Sequence, residues 1–465
     1  MGAGASSAGR GPAAESRAAV YTLFALVVLS SALGNLSQTG VNAMLATIVA
    51  DVGVGVDVGQ WLTTGYMLTI GIVVPIATYL SRRVSMRHHV LIAEAVFIAG
   101  SVCDLAGTNF AVLLVGRLLQ AVSVGLLMPL MQTIAITKFP EGKQATAMGI
   151  SGIAMGFAPN IGPTIGGAMS VAFGWRSFFA LLLALNVVLA VLTALLVRNS
   201  EPAFREARFD AVSFAFSVLG FGGLLLGVSN ASSSGASVLL VAGPIVVGLV
   251  FCVLFFDRQK RIEQPLMHLD IFLNREFVRG CALLCMLTAS FMGITLVIPL
   301  YVEGLCGGTS LDAGLVLLPA TIVALVMNPL AGILTDKIGR RPVVIADGTF
   351  LAVGAVLACT ANEATPLVLV AVYQFVRSIG VSGLMGPLQQ LSLSTLEHRL
   401  VPDGSSALVL ARQTAASLGT SVMVLVIEGV GAAVTATPAL AYQLAFGFSA
   451  VLSVVLLACA IRWVR

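Results

Sequence analysis

Fourteen apolar runs, each about 20 residues or longer, divide this chain almost from end to end. They fall at roughly 18–46, 60–80, 88–107, 109–137, 143–173, 176–197, 210–229 and 236–256. Six more follow at roughly 276–304, 312–335, 341–361, 364–394, 404–430 and 438–463. A run of this length spans the hydrocarbon layer as a helix, which satisfies its own backbone where no water is available. Only 10% of the 465 residues are charged, against about 25% in soluble proteins. The expected fold is therefore an all-α polytopic membrane protein with fourteen transmembrane helices, numbered here in chain order.

The basic residues test that count. Arg82, Arg83 and Arg87 lie between helices 2 and 3, Lys138 and Lys143 between 4 and 5, and Arg198, Arg205 and Arg208 between 6 and 7. Arg258, Lys260, Arg261 and Arg275 follow helix 8, Lys337, Arg340 and Arg341 follow helix 10, Arg399 follows helix 12, and Arg462 and Arg465 end the chain. With fourteen spans all of these lie on one side, and the opposite loops carry only Arg176. The positive-inside rule makes that side, and both termini, cytoplasmic, in a multi-pass protein of the cell membrane. Residues 1–17, rich in Gly, Ala and Ser, read as a disordered cytoplasmic tail with no signal-peptide core.

Several classes of function are excluded. The seven cysteines are scattered, and the four histidines (His88, His89, His268, His398) read as loop residues, so neither disulfide framework nor metal site is expected. No nucleophile–base pair or phosphate loop marks an enzyme, and nothing marks a nucleic-acid partner.

The chain repeats itself. Arg87-His-His-Val-Leu-Ile-Ala-Glu94 opens helix 3 as Arg340-Arg-Pro-Val-Val-Ile-Ala-Asp347 opens helix 11. Gly125-Leu-Leu-Met-Pro-Leu-Met-Gln132 in helix 4 returns as Gly383-Leu-Met-Gly-Pro-Leu-Gln-Gln390 in helix 12. Two parallel six-helix halves follow, at 18–198 and 272–465, with two further helices and a loop inserted at 199–271. Parallel halves meeting at a midplane site are a transporter architecture.

Four stretches carry candidate chemistry. Helix 5 holds Gly156, Pro159, Gly162, Pro163, Gly166 and Gly167. Its prolines delete backbone donors, and Gly162, Gly166 and Gly167 admit a neighbouring helix, so it is either a lining element of a cavity or a kinked packing helix. Gly332-Ile-Leu-Thr-Asp-Lys-Ile-Gly-Arg-Arg341 joins helices 10 and 11. There Asp336 suits a helix N-terminus, Gly332 a close helix contact and Gly339 a tight turn, with Arg340 and Arg341 as complementary cations. Arg117, deep in helix 4, must face the interior, either to bias proton exchange or to staple helices. Glu94 and Asp347 occupy matching places in helices 3 and 11; they either exchange protons or reach the interface and its arginines. Asp104 and Glu428 fall near span ends.

These stretches resemble the major facilitator superfamily, and in particular its fourteen-span drug:proton antiporters of the EmrB/QacA type. The helix-5 pattern resembles the antiporter signature, Gly332–Arg341 matches the superfamily's loop motif, and Gly116-Arg-Leu-Leu-Gln120 resembles its helix-4 arginine motif. The first-half loop, Thr78-Tyr-Leu-Ser-Arg-Arg-Val-Ser-Met-Arg87, departs from the motif: Thr78 and Ser85 replace the glycines and Arg82 the acid, so no acidic latch is expected there. Ser37 stands where many members place a helix-1 Asp, which removes the expected proton-exchanging partner of Arg117. The resemblance implies a proton-coupled exporter of small amphiphilic compounds, working by alternating access. The proton gradient would be its energy source, with no cofactor, and it would act as a monomer in the bilayer with or without an adaptor protein. Arg117, Glu94 and Asp347 would couple protons, and Gln38, Asn42, Gln132 and Asn160 would line a neutral cavity. A dedicated exporter or facilitator of one metabolite or antibiotic, and a non-transporting sensor on the same fold, stand as alternatives.

Overall fold

The computed structural model describes residues 17–198, 210–231, 237–262, 264–433 and 438–464. Of the expected tail 1–17, residues 1–16 lie outside the described residues, as do Arg205, Arg208 and Arg465, whereas Arg17 opens the first helix. The first half comprises α1 (Arg17–Val52), α2 (Trp61–Arg83), α3 (Met86–Ala106), α4 (Phe110–Thr137), α5 and α6 (Arg176–Leu196). Here α5 runs through Gln144–Gly152, Ile153–Phe157 and Ala158–Phe173. Then come α7 (Ala211–Ala231) and α8 (Val238–Arg261). The second half comprises α9 (Arg275–Leu300, prolonged by Tyr301–Leu305), α10 (Ser310–Ile338), α11 (Arg340–Ala358), α12 (Leu367–Leu393), α13 (Val401–Ala433) and α14 (Pro438–Trp463). Among the described residues there is no strand.

Thirteen of these helices are long and apolar enough to cross a membrane. The fourteenth is α5, which the π-helical turn Ile153–Phe157 interrupts. Pro159 has no N–H to offer the carbonyl one turn back, and the chain widens locally so that the Ala158 N–H reaches Ile153 O instead. The outer surface is apolar, with Val171, Leu195, Leu239 and Val253 largely exposed, while Ser, Thr, Gln and Arg side chains lie inside. That inversion is what lipid as solvent demands.

The inserted helices are not merely peripheral. Leu225 of α7 fills the space beside Gly71 of α2, and Ser421 of α13 donates to Val228 O of α7 at 2.7 Å. So α7 touches both halves, whereas α8 exposes most of its surface. Arg258 of α8 clamps Asp210, just before α7, through two hydrogen bonds of 2.8 and 3.0 Å.

Candidate functional site

Arg117 of α4 is 1% exposed and is held by four groups. Its Nη1 donates to Ser37 Oγ (2.6 Å) and Gln120 Oε1 (2.8 Å), its Nε donates to Leu62 O (3.3 Å), and its guanidinium carbon lies 4.1 Å from the Tyr66 ring centroid. Ser37 therefore keeps the place in the network that the resemblance gives to an Asp. It accepts from Arg117 and donates to Gln120 Oε1 at 2.7 Å. The nearby carboxylate comes from α3: Asp104 is fully buried, and neither of its oxygens has a hydrogen-bond partner. It presses on Gly116, the neighbour of Arg117 in sequence, where any side chain would collide with it. Its position near the end of its span concealed this burial.

Glu94 and Asp347 lie elsewhere and do not join Arg117. Glu94 accepts from Ser30 Oγ (2.9 Å) and Thr193 Oγ1 (3.1 Å), leaving Oε2 without a partner. Asp347 is 5% exposed and packs against Gly383 of α12. Neither forms an ion pair among the described residues. The histidine reading also needs correction: His89 is completely buried within α3.

The two halves are locked together at the end of the bundle that carries the basic loops. Asp336 at the end of α10 accepts from Ala145 N (3.2 Å), Thr146 N (2.8 Å) and Thr146 Oγ1 (2.6 Å), capping the start of α5. Gly332 lets Ala145 approach, and Gly339 turns the chain with φ +92°. Arg340 is half-buried, Arg341 is exposed, and neither touches this cap. On the pseudo-symmetric side, the departure from the loop motif does not remove the latch; it reverses the charges. Arg82 at the end of α2 pairs with Asp403 at the start of α13, and also reaches Pro265 O (3.1 Å) and His268 Nδ1 (2.8 Å). Asp403 accepts from His268 N at 2.9 Å, and Thr78 donates to Ser406 Oγ at 2.6 Å beside it. At the opposite end, Arg176 pairs with Asp51 at 2.7 Å within the first half.

The course of α5 follows from its glycines. Before the π turn it packs on the second half, where side chains at Gly149 or Gly152 would strike Asn328 of α10. Beyond the turn it leans on α1: Gly162 faces Leu36 O and Gly40 N, and Gly166 faces Gly40 O. Gly156 meets only the Asn328 amide, and Gly167 only Ala43 Cβ at 3.8 Å, an ordinary contact. Pro163 continues within the second stretch of the helix.

A narrow cavity lies between Asn160 of α5 and Thr295, Thr321, Gln374, Arg377 and Ser378 of α9, α10 and α12. Of the four expected residues, only Asn160 lines it; Gln38 is half-buried, Asn42 is exposed, and Gln132 is fully buried within α4. Arg377 also lines this cavity, so its wall is not neutral. The signal was present, since the rule that singled out Arg117 applies equally to an arginine inside the run 364–394. No cluster of three or more metal-ligating side chains occurs among the described residues.

Comparison with known proteins gives the family. The sequence model of the Major Facilitator Superfamily matches residues 27–420. The MFS-type transporter YcnB of Bacillus subtilis is 32% identical over 393 residues, covering 84% of this chain and 83% of that one. The lincomycin resistance protein LmrB of Listeria monocytogenes is 32% identical over 407 residues, 87% of this chain and 86% of its own. The human transporter MFSD10 (TETRAN) superposes with a TM-score of 0.67 at 12% identity, covering 95% of this chain and 99% of that chain, a likeness of fold alone. The family model covers most of the chain, and the two bacterial relatives share nearly a third of their residues with it over most of both lengths: the chain is a membrane transporter, not an enzyme, and belongs to the Major Facilitator Superfamily.

Proposed function

We propose that the protein exports small amphiphilic compounds in exchange for protons, by alternating access, with its basic end in the cytoplasm. The observation that carries this reading is the divided course of α5. Its first stretch is sealed against α10 and α12, while its second turns away to α1 and leaves a cleft between the halves. In this reading the cytoplasmic gate is closed by Asp336 and by the Arg82–Asp403 pair, and rocking of the halves reopens it. The resistance named for the Listeria relative supports export as the direction.

Proton coupling rests on the first half. A carboxylate buried without partners is costly to keep charged and is relieved by taking a proton. Asp104 fits that description beside Arg117, so protonation there would alter the guanidinium network that spans α1, α2 and α4. Glu94 and Asp347 are further carriers in this scheme. The protein works as a monomer, draws on the proton gradient and needs no bound cofactor. The test is proton flux in proteoliposomes under an imposed pH gradient, challenged with cationic, neutral and anionic amphiphiles. Export predicts that one class collapses the gradient, and that Asp104→Asn stops proton release. Substrate movement with no proton flux in the wild-type protein refutes the coupling.

A further inference from the structure

One buried cation bears on the class of compound transported. The repeat offset that aligns Gly125 with Gly383 and Pro129 with Pro387 gives Arg117 the counterpart Phe375. Arg377 lies two positions on, about 200° around the helix, so it is not a second copy of the Arg117 network. It is 4% exposed, lines the cavity between the halves, and forms no ion pair among the described residues.

Its hydrogen bonding is half complete. Nε donates to Gln374 Oε1 at 3.1 Å, and that bond commits the amide oxygen and leaves Gln374 Nε2 as a donor. Neither Gln374 Nε2 nor Arg377 Nη1 has a partner. The hydroxyl hydrogens of Thr295, Thr321 and Ser378 are spent on the carbonyls of Phe291, Leu317 and Ala320. No lining residue is acidic. The wall of the cavity therefore carries a full positive charge, with two buried N–H groups behind it that have no partner. A buried charge in that condition is expensive until an anion pairs with it. A second guanidinium without an acid, Arg412, lies at the seam against Met155 Sδ, 3.6 Å from its Nη1. Arg377 and Arg412 are thus two buried arginines of the second half with no ion pair among the described residues.

The geometry points to an anion subsite at Arg377 and Gln374 that takes the carboxylate, or a like-sized oxyanion, of an amphiphilic substrate. Arg377 supplies the charge and one donor, Gln374 Nε2 the second donor, and Asn160 of α5 brings the first half into contact with the same ligand. This rests on the transport reading above but needs neither protons nor a direction.

Binding decides it. The wild-type protein in phosphatidylcholine nanodiscs is titrated by calorimetry with 1-naphthoate, 1-naphthamide and 1-naphthylmethylammonium, which differ only in the polar group. The expected order is naphthoate at least tenfold tighter than the amide, with the ammonium weakest. Arg377→Gln brings the naphthoate-to-naphthamide ratio to about one. Gln374→Glu, which gives Arg377 an internal counter-ion without removing it, has the same effect and serves if the first variant does not fold. No naphthoate binding, equal binding of amide or ammonium, or a preference that survives both variants overturns the proposal. So does displacement of naphthoate by anionic lipid added to the nanodisc, which would make the site a headgroup site. A failed proton-flux experiment alongside the expected binding order would count only against the coupling.

Discussion

Removing Arg82 should open the gate that it holds. Asp403 is completely buried and Arg82 is 13% exposed, so this pair lies well inside the seam. In Arg82→Ala the Asp403 carboxylate keeps the His268 N–H at 2.9 Å and the His268 imidazole nitrogen at 3.8 Å, but it is left buried without its arginine. Breaking a buried pair on one side costs about 3–5 kcal/mol, and each ~1.4 kcal/mol is about tenfold in an equilibrium. The closed state should therefore lose a factor of roughly 10² to a few times 10³, enough to reverse a preference of a few kcal/mol. Replacing both partners with apolar residues of similar size, Arg82→Met with Asp403→Leu, removes the stranded charge and should restore most of the closure. The assay is double electron–electron resonance between labels at the exposed positions Arg83 and His398, in a background freed of the seven native cysteines. Single variants should show a longer distance population and the double variant should not. If Arg82→Ala leaves the distribution unchanged, or the double variant opens by the sum of the singles, the charge-reversed latch is wrong.

Four further outcomes follow from particular contacts. Gly166→Val forces a side chain onto Gly40 O, so α5 should separate from α1 and transport should fall at least tenfold; transport at the wild-type rate would show that this close contact is dispensable. Arg117→Lys keeps the charge but cannot reproduce a guanidinium bonded to Ser37, Gln120 and Leu62 O; proton-coupled flux should drop by at least tenfold, and retention of full flux would show that charge alone suffices. Asp336→Asn keeps one carbonyl acceptor for the α5 N-terminus but loses the charge, so it should open the gate less than Asp336→Ala, as read by the same label pair. Hydrogen bonds from Arg258 hold Asp210 down to about 2 from an ordinary 3.8, so its contribution is complete above pH ~4 and is lost as pH falls toward 2. Hydrogen exchange of α7 and α8 should rise across that window in the wild type and show no such rise in Asp210→Asn.

Much of the site was legible because it is written in consecutive residues. The apolar runs, the loop motif through Asp336 and Gly339, and the interrupted α5 each follow from local composition, since a proline removes its own donor wherever it stands. Asp104 and the Arg82–Asp403 pair were not legible in that way. Asp104 sits near a span end, where sequence alone cannot say whether a side chain reaches water or a neighbouring glycine. Arg82 and Asp403 are 321 positions apart, and the motif's missing acid is supplied by another helix.

The sequence by itself determined that this chain crosses a membrane many times, that it does so as two related halves, and where its loops and breaks fall. Hydrophobicity, periodicity and repeat offset are properties of the chain order. Tertiary structure alone decided which partner each buried charge meets: Ser37 and Gln120 for Arg117, Asp403 for Arg82, and no acid among the described residues for Arg377. The physical reason is that lipid makes an unpaired charge costly in any helix, but which groups relieve that cost depends on the faces that packing brings together.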